Sequence, residues 1–382
     1  MDALNSMSHH VALCIVKRKA VNDGMGEWFY LPHAFMLICN YHISYKMNFN
    51  CKSANEVSNA INPFVSEVFT DVLGNIIAHK SGVGKRIMLI AHLDVVRLMV
   101  THIDENGFLF VKPSGNIDAS ILQARKVTIK HEGTDITGII GKRPIHLLRE
   151  EQNSKVTYDS LWVDIGANSL SEALQMVNKG DYAYFCSEYE EMPNDLITGS
   201  YLDNQIGLNV LLKLAELFHN VEVLSDVYYV ASNHEEIGMR GASVVAHSIN
   251  PDVCICIDVT HATDYPSMNV ISDGDIKLCE GCVLAKGPNI FPSLFKSLEE
   301  TAIKHNIKYQ VEVSPYPTGT DANVIQLCGE GVKTAVVSIP CRYMHTPHEV
   351  CSKQDMESTI KVIGEFIYAE SEQSQSSICS KL

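Results

Sequence analysis

The chain of 382 residues is acidic, with 45 Asp and Glu residues against 30 Lys and Arg residues and a formal net charge of −15. Because it has no long basic run, the sequence argues against nucleic acid and anionic membrane surfaces as partners. Apolar residues make up 46% of the chain, enough for a large core, yet no apolar run reaches the length of a membrane span.

The first elements predicted along the chain are one helix and two strands. Residues 1–47 show no clear periodicity, and we treat them as an extension of uncertain structure. A serine and a glutamate three residues apart form a capping-box pattern, which predicts a helix over 53–61. The β-rich runs 71–78 and 86–91 predict strands, and the second is apolar enough to be buried.

The middle of the chain has a different pattern. Over residues 97–195, short β-rich runs alternate with Gly and Asn turns, which is typical of a small barrel or sandwich, although one helical pattern spans 171–178. Helices and strands then alternate again, which indicates an α/β layer architecture. We therefore predict one α/β domain formed by 48–96 and 196–370, split by the insertion and followed by a flexible tail over 371–382.

Acidic and imidazole side chains follow the buried strands of the predicted α/β domain. The elements predicted after the insertion are a helix over 206–218, strands over 226–232 and 253–257, a helix over 291–305, a strand over 334–339 and a closing helix over 353–369. The residues at the strand ends are His92 and Asp94, Glu235 and Glu236, Asp258, and His345, while Asp203 precedes the helix that starts at 206. Ligands of open α/β sheets bind beyond the carboxyl ends of the strands, so we expect these side chains to meet.

Each of these residues has an ordinary structural explanation when it is taken singly. A lone histidine after a strand is usually a hydrogen-bonded loop residue, and an aspartate before a helix is a good cap. Taken together, however, uncompensated carboxylates at one buried site are costly. A divalent metal would make such a cluster favourable, and imidazole plus carboxylate without thiolate suits zinc, cobalt or manganese.

The adjacent carboxylates of Glu235 and Glu236 fit two different roles at such a centre. Five ligands with one shared carboxylate suit two ions, which would polarise a carbonyl and lower the pKa of a bound water towards about 7. One glutamate would hold a metal, and the other would accept the proton of that water as general base.

The ordered set of motifs resembles the M42 metallo-aminopeptidase family, of the glutamyl and tetrahedral (TET) aminopeptidase kind. The matching segments are AHLD at 91–94, YLDN at 201–204, EEIGMRGA at 235–242, IDV at 257–259, GTDA at 319–322 and RYMHTPHE at 342–349. The resemblance runs from about residue 50 to 368. It implies a zinc-peptidase-like, three-layer α/β catalytic domain with an inserted small β-barrel that serves oligomerisation.

The resemblance also implies a role for each site residue. His92 and Asp258 would bind one metal ion, Glu236 and His345 would bind the other, and Asp203 would bridge the two. Glu235 would be the general base, and Asp94 would orient His92.

The same resemblance implies cofactors, substrate and assembly. Two divalent ions per subunit would be zinc or cobalt, with manganese as a further option. The substrates would be short peptides, and the chain would form homo-oligomers in which dimers assemble into a dodecamer. The segment 319–322 would lie close to the substrate or support the site.

Three positions depart from the family pattern. Val95 stands where relatives usually carry a glutamate, Arg97 adds bulk and charge near the start of the insertion, and Gln205 replaces a common arginine. All three leave the expected ligands intact, but they bear on substrate preference. Residues 1–47 have no counterpart in the family pattern.

Three other functions stay open on the sequence. Some relatives carry the label cellulase or endoglucanase, and a glycosidase would use two carboxylates without metal. A metal-dependent deacylase or carboxypeptidase could use the same type of scaffold. A family member that has lost activity could instead serve as an assembly or binding protein.

The cysteines and the last residues bear on localisation. Twelve cysteines without regular spacing indicate free thiols rather than a disulfide framework, so we expect a reducing compartment, the cytoplasm. The terminal residues Ser380, Lys381 and Leu382 match a peroxisomal address, but three residues match easily by chance.

Overall fold

The structure is a computed structural model that describes residues 52–147, 155–221 and 223–379. The extension predicted over 1–47 and the terminal tripeptide 380–382 lie outside these residues. Within the described part of the chain, no helix combines the length and the apolar character needed to cross a membrane.

The first described elements are helix α1 (Ala54–Ile61) and strands β1 (Glu67–Thr70), β2 (Ile76–Lys80) and β3 (Arg86–His92). The helix starts with the predicted capping box, because the Ser53 hydroxyl accepts from the Glu56 N–H at 3.3 Å and Glu56 Oε2 accepts from the Ser53 N–H at 2.7 Å. The strand predicted over 71–78 begins only at Ile76. The Asp71 carboxylate accepts hydrogen bonds from the N–H groups of Leu73 and Asn75, and these bonds hold the preceding residues in a turn.

The predicted insertion forms a closed barrel with a core of its own. Its strands are β4 (Arg97–Ile103), β5 (Leu109–Ser114), β6 (Lys126–His131), β7 (Thr134–Lys142), β8 (Leu161–Asp164) and β9 (Tyr182–Phe185), in the order β4-β5-β8-β7-β6-β9. Leu98, Leu109 and Ile129 are fully buried inside it. The helix predicted over 171–178 is shorter than expected and spans only α2 (Leu170–Ala173).

The rest of the chain completes the α/β domain. Its strands are β10 (Glu190–Met192), β11 (Leu196–Gly199), β12 (Asp226–Ser232), β13 (Val253–His261), β14 (Cys282–Lys286), β15 (Tyr309–Val313), β16 (Lys333–Arg342) and β17 (Glu349–Ser352). Its helices are α3 (Leu202–Asn220), α4 (Arg240–Ile249), α5 (Val270–Asp273), α6 (Pro292–Lys304), α7 (Ala322–Ile325) and α8 (Lys353–Cys379).

One mixed sheet of 11 strands organises this domain. Its order is β1-β2-β12-β3-β13-β16-β17-β11-β10, and β14 pairs with β16 and with β15. The central strands β12, β3, β13 and β16 run parallel, so their carboxyl ends lie at the same edge. Residues 87–92 of β3 are all buried, as its apolar sequence predicts. The predicted α/β domain with an inserted barrel is confirmed.

Two boundaries differ from the prediction. Strand β10 pairs with β11 in the main sheet, so the region predicted as insertion over 97–195 already returns to the α/β domain at Glu190. Helix α8 continues through Cys379, so most of the tail predicted over 371–382 is helical. The eight cysteines from Cys186 to Cys351 carry free thiols.

Candidate metal centre

The predicted site residues meet at the carboxyl edge of the parallel strands. His92 is the last residue of β3, Asp258 lies in the second half of β13, and Asp203 lies at the start of α3, where the backbone departs from helical angles. Glu235 and Glu236 follow β12, and His345 lies in the loop between β16 and β17. His92, Asp203, Glu235 and Asp258 are buried below a tenth of their surface, whereas Asp94, Glu236 and His345 are partly exposed.

Asp203 lies between two imidazoles at the centre of this cluster. His92 Nε2 is 3.0 Å from Asp203 Oδ1, and His345 Nε2 is 3.2 Å from Asp203 Oδ2. His92 Nε2 is also 3.6 Å from Asp258 Oδ1, and His345 Nε2 is 3.5 Å from Glu236 Oε2. Each oxygen of Asp203 therefore faces a separate pair of side chains, which is the arrangement that a bridging carboxylate needs.

Burial sets the protonation of the carboxyl groups in the cluster. It raises the pKa of Glu236 to about 7 and the pKa of Glu235 to about 10, because both charges would lie away from water beside other carboxylates. Burial also acts on Asp203, but hydrogen bonds from His345 and His92 outweigh it, so the pKa of Asp203 lies well below its usual value. Positive charge placed among these carboxyl groups would therefore stabilise their ionised forms.

The donor set fits a divalent metal. Single atoms of His92, Asp203 and Glu236 lie within 4.8 Å of one another, close enough to share one ion. Glu236 Oε1 is buried, and no described residue gives it a hydrogen bond, so this oxygen has acceptor capacity available for a cation. Imidazole nitrogen and carboxylate oxygen without thiolate are the ligands that zinc and cobalt accept.

Backbone carbonyls orient both imidazoles towards the cluster. His92 Nδ1 is 2.9 Å from the carbonyl oxygen of Asp94, and His345 Nδ1 is 2.8 Å from the carbonyl oxygen of Asn116 in the barrel. A carbonyl can only accept, so each Nδ1 carries a proton and donates it. The Nε2 atoms then face the carboxylates, as metal ligation by neutral imidazole requires.

The carboxylate of Asp94 holds the glutamate pair rather than His92. Asp94 Oδ1 accepts from the Glu235 N–H at 2.9 Å, and Asp94 Oδ2 accepts from the Glu236 N–H at 3.2 Å. The same carboxylate comes only within 4.0 Å of His92 Nδ1. Asp94 therefore fixes three other site residues, one through its carbonyl and two through its carboxylate.

A buried asparagine in the turn before β2 holds the loop that carries the glutamate pair. Asn75 Oδ1 accepts from the Asn233 N–H at 2.7 Å, and Asn75 Nδ2 donates to the Gly241 carbonyl at 3.1 Å. Gly241 itself is required there, because a Cβ would lie 2.2 Å from the Asn233 carbonyl oxygen. The loop between β12 and α4 is thus fixed at both ends, which holds Glu235 and Glu236 in place.

Glu349 is a supporting residue to which the sequence alone gives no role. Its Oε2 accepts from the Asp203 N–H at 2.9 Å, and its Oε1 accepts from the His345 N–H at 2.7 Å. His345 has a φ of +61°, a left-handed value that non-glycine residues rarely adopt, and the bond from its N–H helps to hold it there. Only the position of Glu349 at the start of β17, just after the His345 loop, signals this function.

Asp321 supports the site from the opposite side. It is buried, its Oδ2 accepts from the Ser232 hydroxyl at 2.5 Å, and burial raises the pKa of its carboxyl to about 7. Gly319 and Thr320, in the segment predicted over 319–322, line the cavity that opens over the cluster. The expectation that 319–322 lies near a substrate or supports the site thus matches the position of this segment.

A cavity of about 500 Å³ opens over the metal-binding cluster. One wall is formed by the cluster itself, and the rest is formed mainly by β13, β14, β15, β16 and the loop after β15. A space of this size accommodates an amino-acid side chain together with part of a peptide.

None of the three departures from the family pattern lines this cavity. Val95 is buried in the core of the barrel. The Arg97 guanidinium lies 3.7 Å from the centre of the Tyr182 ring and also faces the barrel. Gln205 is buried and accepts a hydrogen bond from the Lys52 N–H at 2.9 Å. These positions therefore leave the surface that would meet a substrate unchanged.

Comparison with known proteins gives a consistent result. The family model of the M42 glutamyl aminopeptidases matches residues 74–362. A lysyl aminopeptidase from Pyrococcus furiosus is 42% identical over 299 residues, which cover 78% of this chain and 85% of that protein.

Solved structures show the same similarity. An aminopeptidase from the archaeon Desulfurococcus kamchatkensis aligns with a TM-score of 0.79 at 30% identity, over 91% of this chain and 97% of that chain. A TET peptidase of Pyrococcus horikoshii, described as able to assemble into a tetrahedron or a large octahedral shell, aligns with a TM-score of 0.73 at 26% identity. That alignment covers 87% of this chain and 99% of that chain.

Replacing Glu349 by Gln tests how the centre is positioned. Gln keeps only one oxygen, so either Asp203 or His345 loses the acceptor for its N–H. We expect zinc affinity to fall about 10- to 100-fold, as is usual when a partner of a metal ligand is lost. Competition with a chromogenic chelator measures this affinity.

The matched control is Glu330→Gln, which changes an exposed carboxylate at the opposite edge of the sheet. Thermal unfolding of the metal-free proteins separates a general loss of stability from a loss of positioning. Unchanged zinc affinity in Glu349→Gln would contradict the role assigned to this carboxylate.

Proposed function

The chain belongs to the M42 glutamyl aminopeptidase family, and from this premise we propose that it is a dinuclear metal-dependent aminopeptidase acting on short peptides. The observation that carries the proposal is Asp203, whose two oxygens face His92 and His345 separately. In this assignment His92 and Asp258 would hold one ion, Glu236 and His345 would hold the other, and Asp203 would be shared by both. Zinc or cobalt suits these ligands, and manganese is the alternative.

The bound ions would supply Lewis acidity, which polarises the scissile carbonyl and acidifies the attacking water. The orientation of the ligands comes from this chain. The carbonyls of Asp94 and Asn116 fix the two imidazoles, and Glu349 fixes the backbone of Asp203 and His345. The site therefore keeps its shape before a substrate arrives, which lowers the reorganisation needed for reaction.

Glu235 is the proposed general base. Its carboxylate lines the cavity, and no hydrogen bond or ion pair to a described residue engages it, whereas Glu236 contacts His345. Burial raises the pKa of Glu235 to about 10, and positive charge placed beside it lowers this pKa and favours the carboxylate form. As a carboxylate, Glu235 would accept a proton from the attacking water and deliver it to the departing amine.

The cluster gives less support to the other functions that the sequence left open. A glycosidase needs one carboxylic acid and one carboxylate placed across a sugar bond, whereas here the carboxylates contact imidazoles. An inactive homologue had its only support in Val95 and Gln205, which lie away from the cavity. A deacylase or carboxypeptidase would share the metal chemistry and differs in the substrate end that it recognises.

The preferred N-terminal residue does not follow from the family. The matching family model is named for glutamyl substrates and the P. furiosus relative for lysyl substrates, so the names span opposite charges. The choice must lie in the cavity wall of the individual protein.

We expect Glu235→Gln to lower kcat on a free-amine peptide about 10²- to 10⁴-fold, because Gln cannot accept the proton. The metal content should persist, since Glu235 is not an assigned ligand. Steady-state kinetics and elemental analysis on the same sample check both statements. The control is again Glu330→Gln, and full activity in Glu235→Gln would rule out this base.

Metal removal separates peptidase from glycosidase chemistry. Dialysis against EDTA should abolish cleavage of free-amine peptides, and zinc or cobalt should restore it. Peptides with an acetylated N-terminus should resist cleavage throughout, which excludes a deacylase or carboxypeptidase. Hydrolysis of a cellulose oligomer that survives EDTA would instead favour the glycosidase.

Assembly into a homo-oligomer of dimers, up to a dodecamer, is also part of the proposal. The closed barrel is inserted into the chain of the α/β domain. The matching TET peptidase is described as able to assemble into a tetrahedron or a large octahedral shell. The free thiols fit a reducing compartment such as the cytoplasm. Light scattering of the purified protein should give the mass of twelve subunits, and a monomer would contradict this assembly.

A further inference from the structure

The far wall of the cavity presents one face of the sheet to a substrate. Along β13, Asp258 and Thr260 are two residues apart, so their side chains point to the same face. On the neighbouring strands, Ala285 of β14 pairs with Glu312 of β15, and both line the same cavity. The cavity therefore extends from the metal-binding cluster across this face to the Glu312 carboxylate.

Glu312 is a partly buried carboxylate on the cavity wall. Its Oε2 accepts one hydrogen bond, from the Thr260 hydroxyl at 2.8 Å. No lysine, arginine or histidine among the described residues lies within ion-pair distance of it. A partly buried carboxylate with a single neutral partner leaves most of its acceptor capacity free, and an ammonium or guanidinium group matches that capacity.

Lys286, the one lysine among the described residues that line the cavity, does not neutralise Glu312. Lys286 pairs with Val313 rather than with Glu312, so its side chain lies on the opposite face of the strand pair. Its Nζ lies 5.2 Å from the centre of the Phe295 ring, on helix α6. The negative charge of Glu312 thus remains available to the cavity.

The spacing between the cluster and Glu312 suits a long side chain. Two residues of a strand span roughly 7 Å, so Thr260 lies about that far from Asp258 along β13. Glu312 lies one hydrogen bond beyond Thr260. A peptide whose first carbonyl lies over the cluster can therefore extend the side chain of its N-terminal residue along this face. The ammonium group of a lysine side chain or the guanidinium group of an arginine side chain then reaches the Glu312 carboxylate.

We propose that Glu312 is a specificity-determining residue that selects peptides with an N-terminal lysine or arginine. This inference rests on the proposed aminopeptidase function and adds the substrate class. Thr260 acts as a positioning residue, because its hydroxyl holds one oxygen of Glu312 and leaves the other to the substrate. An acidic N-terminal residue is rejected by repulsion, and leucine lacks the charge-assisted bond.

The test uses the full chain loaded with zinc or cobalt and four fluorogenic aminoacyl amides, of lysine, arginine, leucine and glutamate. We expect kcat/KM for lysine and arginine to exceed that for leucine about 10- to 100-fold, the worth of one hydrogen bond to a charged group. Glu312→Gln should reduce the lysine-to-leucine ratio by a similar factor, mainly through KM. Glu312→Lys should move the preference towards glutamate, and Glu330→Gln should leave the ratio unchanged.

The remaining outcomes distinguish a failure of this inference from a failure of the proposed function. A preference of the unaltered protein for leucine or glutamate, with activity intact, overturns this inference alone. An equal loss on all four substrates in Glu312→Gln also overturns it, since Glu312 would then bind the common α-amine or support the fold. Absence of cleavage of every substrate overturns the proposed function and this inference together.

Discussion

The structure depends on one electrostatic constraint, the burial of several carboxylates at a single edge of a sheet. Asp203 remains ionised there because two imidazoles approach its oxygens from opposite sides. Glu235 and Glu236 lack comparable partners, and burial raises the pKa of both. Such a cluster is expensive to fold unless positive charge enters it. The surrounding elements can therefore be understood as a scaffold that keeps like charges close together until cations compensate them.

The scaffold achieves this with backbone contacts more than with side-chain pairs. Parallel strands bring His92 and Asp258 to one edge of the sheet. The Asp94 carboxylate accepts hydrogen bonds from the backbone N–H groups of Glu235 and Glu236. Glu349 does the same for Asp203 and His345. Anions that accept backbone N–H groups fix the main chain directly, so the functional side chains have little freedom left. Two carboxylates outside the proposed ligand set, those of Asp94 and Glu349, thus hold the backbone of four proposed site residues.

Much of this arrangement could be predicted from the sequence, because strand ends are local features. An apolar run followed by His92 or Asp258 predicts both a buried strand and the edge at which it ends. The inserted barrel could also be predicted, because short β-rich runs alternate with turn residues along this part of the sequence. Contacts between distant segments could not be predicted, because they depend on the curl of the sheet and on loop paths. The Thr260–Glu312 bond joins strands that are not neighbours, and Glu349 acts through an irregular loop.

The barrel is joined to the chemistry through its own backbone. It begins at Arg97, three residues after Asp94, and its Asn116 carbonyl holds the ring of His345. A tilt of the barrel would rotate that imidazole, and the strand connection would transmit the same tilt to Asp94. The insertion is therefore part of the framework that orients the candidate metal centre. Contacts made on the barrel surface would therefore reach the candidate metal centre by two routes, the chain connection to Asp94 and the hydrogen bond of Asn116.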